Sequence, residues 1–330
     1  MSQPMPVPRS IPEEYADLAR TQLAVQERLL LVPTIVGVAL GHKVTGGVDT
    51  GNLAIIVLVE RKIPIAELPP EHVVPPAIQG IPTDVQEVGV VRAGPEPLAA
   101  STVTLTKRYR PAFGGVSVGH KDITAGTIAT GCYDATPFPG VPPKFYILSN
   151  NHVLANSNAG QVGDAILQPG PFDGGTVEND QIATLSRFFE VKFLDGSANP
   201  PTNEIDAALA EVDLSELDRR IHWAGTMRRV IATPQVGMLL SKCGRTTGFT
   251  TGSIQNINAT IDVNYGAGKT ARFVGQLITT NMSAPGDSGS LIADLDGGVV
   301  GLLFAGSDLA TVVNPIEAVQ RLLGVKVADG

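Results

Sequence analysis

Gly286-Asp287-Ser288-Gly289 is a string with two uses. Glycine admits positive φ, and Asp and Ser bond their own backbone, so these residues make tight turns between strands. The same string can present a serine nucleophile. A serine hydroxyl then needs a base, usually histidine, and the base needs an orienting carboxylate. The chain has five histidines, His42, His72, His120, His152 and His222, and all precede Ser288. That excludes the chain order Ser…Asp…His, and GDSGS lacks the final glycine of G-x-S-x-G. The order His…Asp…Ser stays open.

His152 lies in KFYILSNNHVLAN, where an apolar run ends in the polar turn Ser149-Asn150-Asn151. An imidazole there sits at a strand end, near a cleft, though a capping or surface histidine would fit the same pattern. His120, in VGHKD, ranks second because no long strand leads into it. His42, His72 and His222 read as structural or surface residues. For the carboxylate, Ile205, Ala207 and Leu209 alternate with Asp206, Ala208 and Ala210. Asp206 therefore enters a largely apolar segment, and a buried carboxylate must find donors. A strand-initial Asp capping a turn is the plainer alternative. Asp180, in NDQIATL, competes but follows His152 by little chain.

The elements that must position these residues are short strands. GVSVGH, GTIATGC, KFYILS, DQIATL, EIDAALAEV, GMLLSK, TGSIQNINATI, ARFVGQLITT, GSLIAD, GVVGLLFAG and TVVNPI recur between turn residues, a pattern of sandwiches and barrels. One amphipathic helix, IEAVQRLLG, closes the chain. GPEPLAAST, residues 94–102, reads as a linker. Before it, residues 1–9 read as disordered, and Ser10, Pro12 and Glu13 form a helix start. Tyr15, Leu18, Val25 and Leu29 make one helical stripe that Pro33 ends. Strands TIVGVALG and LAIIVLVE follow, joined by a Gly-rich turn. The expected organisation is an N-terminal α+β domain over residues 1–100 and a mainly β domain over residues 101–330.

The 330 residues carry Gly 36, Pro 25, 43% hydrophobic and 17% charged residues, which suits a folded, turn-rich chain. Net charge is -8 with scattered basic residues, which argues against a nucleic-acid or anionic-membrane surface. No apolar run approaches the roughly 20 residues of a membrane helix. The start has no signal-peptide character, and Cys132 and Cys243 suggest neither a disulfide framework nor a metal site, so a cytoplasmic setting is expected. GAGKT (266–270) resembles the end of a phosphate-binding loop. Val263 stands where that motif needs glycine, so a hairpin tip is expected.

Together these residues resemble the chymotrypsin-like serine proteases. His152, Asp206 and Ser288 stand in that family's order and approximate spacing. CGRTTGFTTGSI (243–254), with DVNYGAGK after it, resembles the bacterial alpha-lytic and streptogrisin type. SNNHVLAN, DAALAEV and GLLFAGS resemble the trypsin-like proteases of the narrow-leaf type, found in bacteria and plants, which carry an N-terminal extension. The likeness covers roughly residues 108–325.

The resemblance implies a double β-barrel, His152 and Asp206 on the first barrel and Ser288 on the second. It implies peptide-bond hydrolysis through an acyl-enzyme, without metal or cofactor, on protein or peptide substrates. The oxyanion hole falls on the amides of Gly286 and Ser288. Arg245 is expected to pair with Asp287 and hold the oxyanion loop without N-terminal processing. The substrate pocket falls on Met282, Ser283 and Ala284 with Phe304, Ala305 and Gly306 opposite; none is charged, so an uncharged side chain before the scissile bond is expected. Thr251 and Ala284 replace cysteines of the secreted relatives, and no folding pro-region is recognisable. The alternative is a regulated scaffold or binding protein on the same fold, in which residues 1–100 could form homo-oligomers and gate the cleft.

Overall fold

The computed structural model describes residues 11–94, 104–123, 125–135 and 142–328. The expected disordered start, the capping Ser10 and all of the expected linker after Gly94 lie outside the described residues. The architecture is mainly β, with curled sheets and few helices, consistent with the expected chymotrypsin-like double β-barrel.

The first barrel is an eight-stranded sheet. It runs in the order Val325–Lys326, Thr130–Asp134, Phe145–Ser149, Ala208–Val212, Gln181–Phe188, Ala165–Leu167, Ser117–His120 and Gly126–Thr127. Val118, Ile147, Leu148, Ile166 and Leu209 fill it and are fully buried. The closing helix Ile316–Leu323 forms where IEAVQRLLG predicts it. Gly324 caps it with φ 67, the left-handed conformation that glycine takes most readily.

In the second barrel, six strands pair in a closed ring: Leu239–Gly244, Gly248–Asn264, Thr270–Thr280, Ala310–Pro315, Gly298–Gly306 and Leu291–Asp294, which returns to the first. Each of the six strands is paired on both sides over part of its length. GAGKT forms the tip between the second and third of these strands, as expected; Tyr265 N–H donates to Lys269 O at 2.9 Å.

The described part of the expected N-terminal domain holds the predicted helix, Ala16–Leu29, and the predicted hairpin, Ile35–Thr45 with Val48–Val59. Its sheet is not its own. Strand Gly248–Asn264 pairs with Leu239–Gly244 only over its first residues. Beyond Ser253 that edge is free, and Ile35–Thr45 takes it, with Gly37 opposite Ile261 and Gly41 opposite Asn256. Val48–Val59 and Ile81–Glu87 continue outward, so one twelve-stranded sheet joins both parts. An unpaired strand edge buried under apolar side chains would strand its backbone donors, and this pairing satisfies them. The helix is stapled over the seam: Gln22 Nε2 donates to Val38 O at 2.9 Å and to Asn258 O at 2.8 Å.

Candidate active site

Strand Phe145–Ser149 runs antiparallel to Ala208–Val212, with Ser149 opposite Ala208. The chain leaving the one and the chain entering the other therefore meet at the same end of the barrel. His152, in the single turn Asn151–Leu154, is brought onto Asp206. His152 Nδ1 lies 2.6 Å from Asp206 Oδ2, and the His152 backbone N–H donates to Oδ1 at 3.2 Å. A carboxylate only accepts, so Nδ1 carries the proton. Asp206 is fully buried and has the donors its sequence setting demanded. Its own N–H donates to Asn314 Oδ1 at 2.9 Å, and Asn314 in turn is held by Gln276.

The competitors are committed elsewhere. His120 Nε2 faces Asp164 at 2.9 Å, and its Nδ1 accepts the Asp122 N–H. Asp180 accepts the Thr176 N–H at 3.0 Å and lies near Arg108.

Ser288 comes from the second barrel and is pressed against the first. Its carbonyl accepts the Thr127 N–H at 2.8 Å. Thr127 Oγ1 donates to Gly286 O at 2.9 Å and accepts the Arg245 N–H at 3.0 Å. Gly289 has φ 95, and a Cβ there would overlap Ser149 Oγ and Thr127 O. Thr127 is thus a clamp between barrels that no sequence motif announces.

In the loop around Ser288, Asp287 N–H donates to Ala284 O, Gly289 N–H to Leu303 O and Ser290 N–H to Asp287 O. Among the described residues, the N–H groups of Gly286 and Ser288 have no hydrogen-bond partner. Likewise His152 Nε2 is buried without a partner.

The expected Arg245–Asp287 pair is corrected by the contacts. Arg245 Nε donates to Asp173 Oδ2 at 2.8 Å, Nη2 bonds Asp173 Oδ1, and the guanidinium lies over the Phe172 ring at 5.2 Å. The cation on Asp287 is Lys242, whose Nζ lies 3.0 Å from Oδ2 with both side chains fully buried. Strand alternation is the reason. Residues 242 and 244 face the serine loop, and a Cβ on Gly244 would overlap Asp287 Oδ1. Residues 243 and 245 face the first barrel, where Cys243 Sγ packs 3.0 Å from a Cβ placed on Gly115. Lys242 could have been suspected, since a lysine amid the apolar run GMLLSKCG must be paired if buried. Cys132 and Cys243 are free, and burial pushes both thiols up to about 12.

Of the expected pocket residues, Met282, Phe304 and Ala305 are buried, at 3%, 0% and 3% exposure. Met282 belongs to one core cluster of the second barrel, and Phe304 packs on Phe273 in another, with centroids 4.6 Å apart and the rings tilted by 48°. Ser283, Ala284 and Gly306 are partly exposed. Ser283 Oγ lies 2.7 Å from Thr311 Oγ1 and 3.3 Å from a Cβ placed on Gly306.

Chain from the N-terminal part runs along this edge. Arg92 N–H donates to Gly306 O, and Gly306 N–H to Arg92 O, each at 3.0 Å. On its other side the segment bonds the hairpin tip, Ala93 N–H to Asn264 O at 3.0 Å and Asn264 N–H to Val91 O at 3.1 Å. It then passes His152: a Cβ on Gly94 would lie 3.7 Å from His152 Cδ2. Among the described residues no group of three or more His, Cys, Asp and Glu side chains could hold a metal. No described helix is long and apolar enough to cross a membrane.

The chain is similar to chymotrypsin-like bacterial serine proteases of known structure. Protease A of Thermobifida fusca is 16% identical, with a TM-score of 0.45 over 66% of this chain and 98% of its own. The Nocardiopsis protease is 17% identical, with 0.45 over 65% and 97%. The Cellulomonas bogoriensis chymotrypsin is 16% identical, with 0.43 over 65% and 96%. No family model and no curated protein matches the chain. What the site can do follows from its own geometry.

Proposed function

We propose that the protein is a serine endopeptidase. The observation that carries the reading is the serine loop between the barrels, with two amides without partners among the described residues at Gly286 and Ser288. The loop presses on the first barrel where a Cβ on Gly126 would meet both Ser288 O and Val153, next to a His152–Asp206 pair at 2.6 Å whose Nε2 has no partner. Ser288 Oγ attacks the substrate carbonyl while His152 Nε2 takes its proton. Asp206 holds the tautomer and stabilises the imidazolium. The carbonyl oxygen becomes an oxyanion against the Gly286 and Ser288 amides, one such donor being worth about 3–4 kcal/mol. His152 then returns the proton to the leaving amine, and water hydrolyses the acyl-enzyme. Ser283, Ala284 and Gly306 carry no charge, which supports an uncharged side chain before the scissile bond. Two free, buried thiols fit a reducing compartment such as the cytoplasm.

A fluorophosphonate probe should label the native chain and not Ser288→Ala, and peptide-library profiling should give an uncharged preference. A native chain that stays unlabelled, or a labelled Ser288→Ala, would overturn the reading.

A second reading is favoured by one observation and is compatible with the first. Residues 91–94 add to the Gly306 edge as an extended peptide adds to a sheet, and end beside His152. The N-terminal part would then gate the cleft, alone or within a homo-oligomer.

A further inference from the structure

We infer that Tyr265 is a positioning residue of the triad, fixing the Asp206 carboxylate of the first barrel from the second, where Ser288 is anchored. The inference rests on the protease reading for its catalytic consequence.

Asp206 Oδ2 is shared. It faces His152 Nδ1 at 2.6 Å and accepts the Tyr265 hydroxyl, also at 2.6 Å. Asp206, His152 and the turn that carries it belong to the first barrel. Tyr265 belongs to the tip of the second-barrel hairpin Gly248–Asn264 and Thr270–Thr280. The Asp206 backbone is already tied to the second barrel through Asn314. Among the described residues, Tyr265 is the contact by which that barrel, which supplies the serine, reaches the carboxylate itself.

The tyrosine is itself held on several sides. Its ring meets His152 edge-on at 6.1 Å and 83°, and Phe193 edge-on at 5.5 Å and 78°. It stacks on Phe273 at 6.2 Å and 19°, and Phe273 packs on Phe304 in the core. An aromatic ladder thus runs from the interior of the second barrel to the Asp206 carboxylate. The backbone around it is fixed by the Tyr265–Lys269 and Ala93–Asn264 bonds. Desolvation of the hydroxyl, then the Asp206 charge, holds its proton well above the ordinary phenol range, so it stays a donor. A donor on Oδ2 restrains rotation of the carboxylate, and with it the imidazole plane that must aim Nε2 at Ser288.

Tyr265→Phe keeps the ladder and deletes one charge-assisted bond. The full chain and the variant are compared by fluorophosphonate labelling rate, by kcat and KM on a peptide found by library profiling, and by the low-field proton NMR signal of the His152–Asp206 bond. The variant should label about ten- to hundredfold more slowly, with the loss in kcat and KM nearly unchanged. The low-field signal should move. Parent rates together with an unmoved signal in the folded variant would overturn the inference. If Tyr265→Phe does not fold, a fluorinated tyrosine at 265 keeps ring and hydroxyl and changes donor strength. Rate and signal should then change with it, and their constancy would overturn the inference. A parent that fails to label, like Ser288→Ala, defeats the protease reading instead, while the low-field signal still reports on the Tyr265 bond.

Discussion

Five donors converge on the Asp287 carboxylate: the N–H groups of Thr246, Thr247 and Ala284, the Thr247 hydroxyl and the Lys242 ammonium. Only one is a full charge, and it sits at zero exposure. Removing one partner of such a buried pair leaves the other charge unpaired and costs about 3–5 kcal/mol. Lys242→Met should therefore lower thermal stability sharply and abolish fluorophosphonate labelling. Arg245→Met should cost stability through Asp173 across the barrels, with the smaller loss of labelling; melting curves and labelling of both variants test the order. His152 and Ser288 stand out as candidates because they sit at a strand end and a Gly-flanked turn, and Asp206 because an acid enters an apolar segment; the structure pairs His152 with Asp206. Lys242 and Tyr265 act through partners brought near only when the barrels close, and no local signal marks that. Arg245 was misread because its motif suits an arginine fork, whereas the strand parity that turns it toward the first barrel depends on where the strand ends.

Strands were legible as elements, and their partners were not. The hairpin of Ile35–Thr45 and Val48–Val59 shows as two apolar runs around a Gly-rich turn, and it runs further than those runs because His42, Thr45 and Asp49 also pair. Nothing in either run says that the far edge will meet Gly248–Asn264. The same holds for residues 91–94, which lack strand character yet are bonded on both sides, to Gly306 and to Asn264. Proline at 92 would delete the N–H that bonds Gly306 O. If the segment competes with substrate for that edge, losing a bond of about 0.5–1.5 kcal/mol should speed peptide turnover by a few-fold to tenfold. Labelling by a small fluorophosphonate, which needs no strand pairing, should change less. Turnover of Arg92→Pro equal to or below that of the parent would show that the segment supports the cleft rather than closing it.

At the scale of the whole molecule, the continuous sheet decides what can melt alone. Two domains joined only by a linker would unfold independently. Here the core cluster under the N-terminal helix mixes Tyr15, Val38, Leu40 and Val57 with Ile254, Leu277 and Val313 of the second barrel. The polar seam is as tightly shared. Gln22 is fully buried, and it donates to Val38 O and Asn258 O while accepting from Asn258 Nδ2 at 2.9 Å. Asn258 holds φ 51 at the irregular step where the strands change register, so the glutamine braces a strained position. Gln22→Leu keeps the volume and leaves a buried amide unpaired, at about 1–3 kcal/mol per orphaned group. For a cooperative unit of this size that is a fall of several degrees, at about 2–4 °C per kcal/mol. Native-state hydrogen exchange locates the loss. Amides of Thr270–Thr280, a strand with no hydrogen bond to Gln22, should lose protection in step with those of Ile35–Thr45. Loss confined to residues 11–94, with Thr270–Thr280 unchanged, would mean that the N-terminal part unfolds by itself despite the shared sheet.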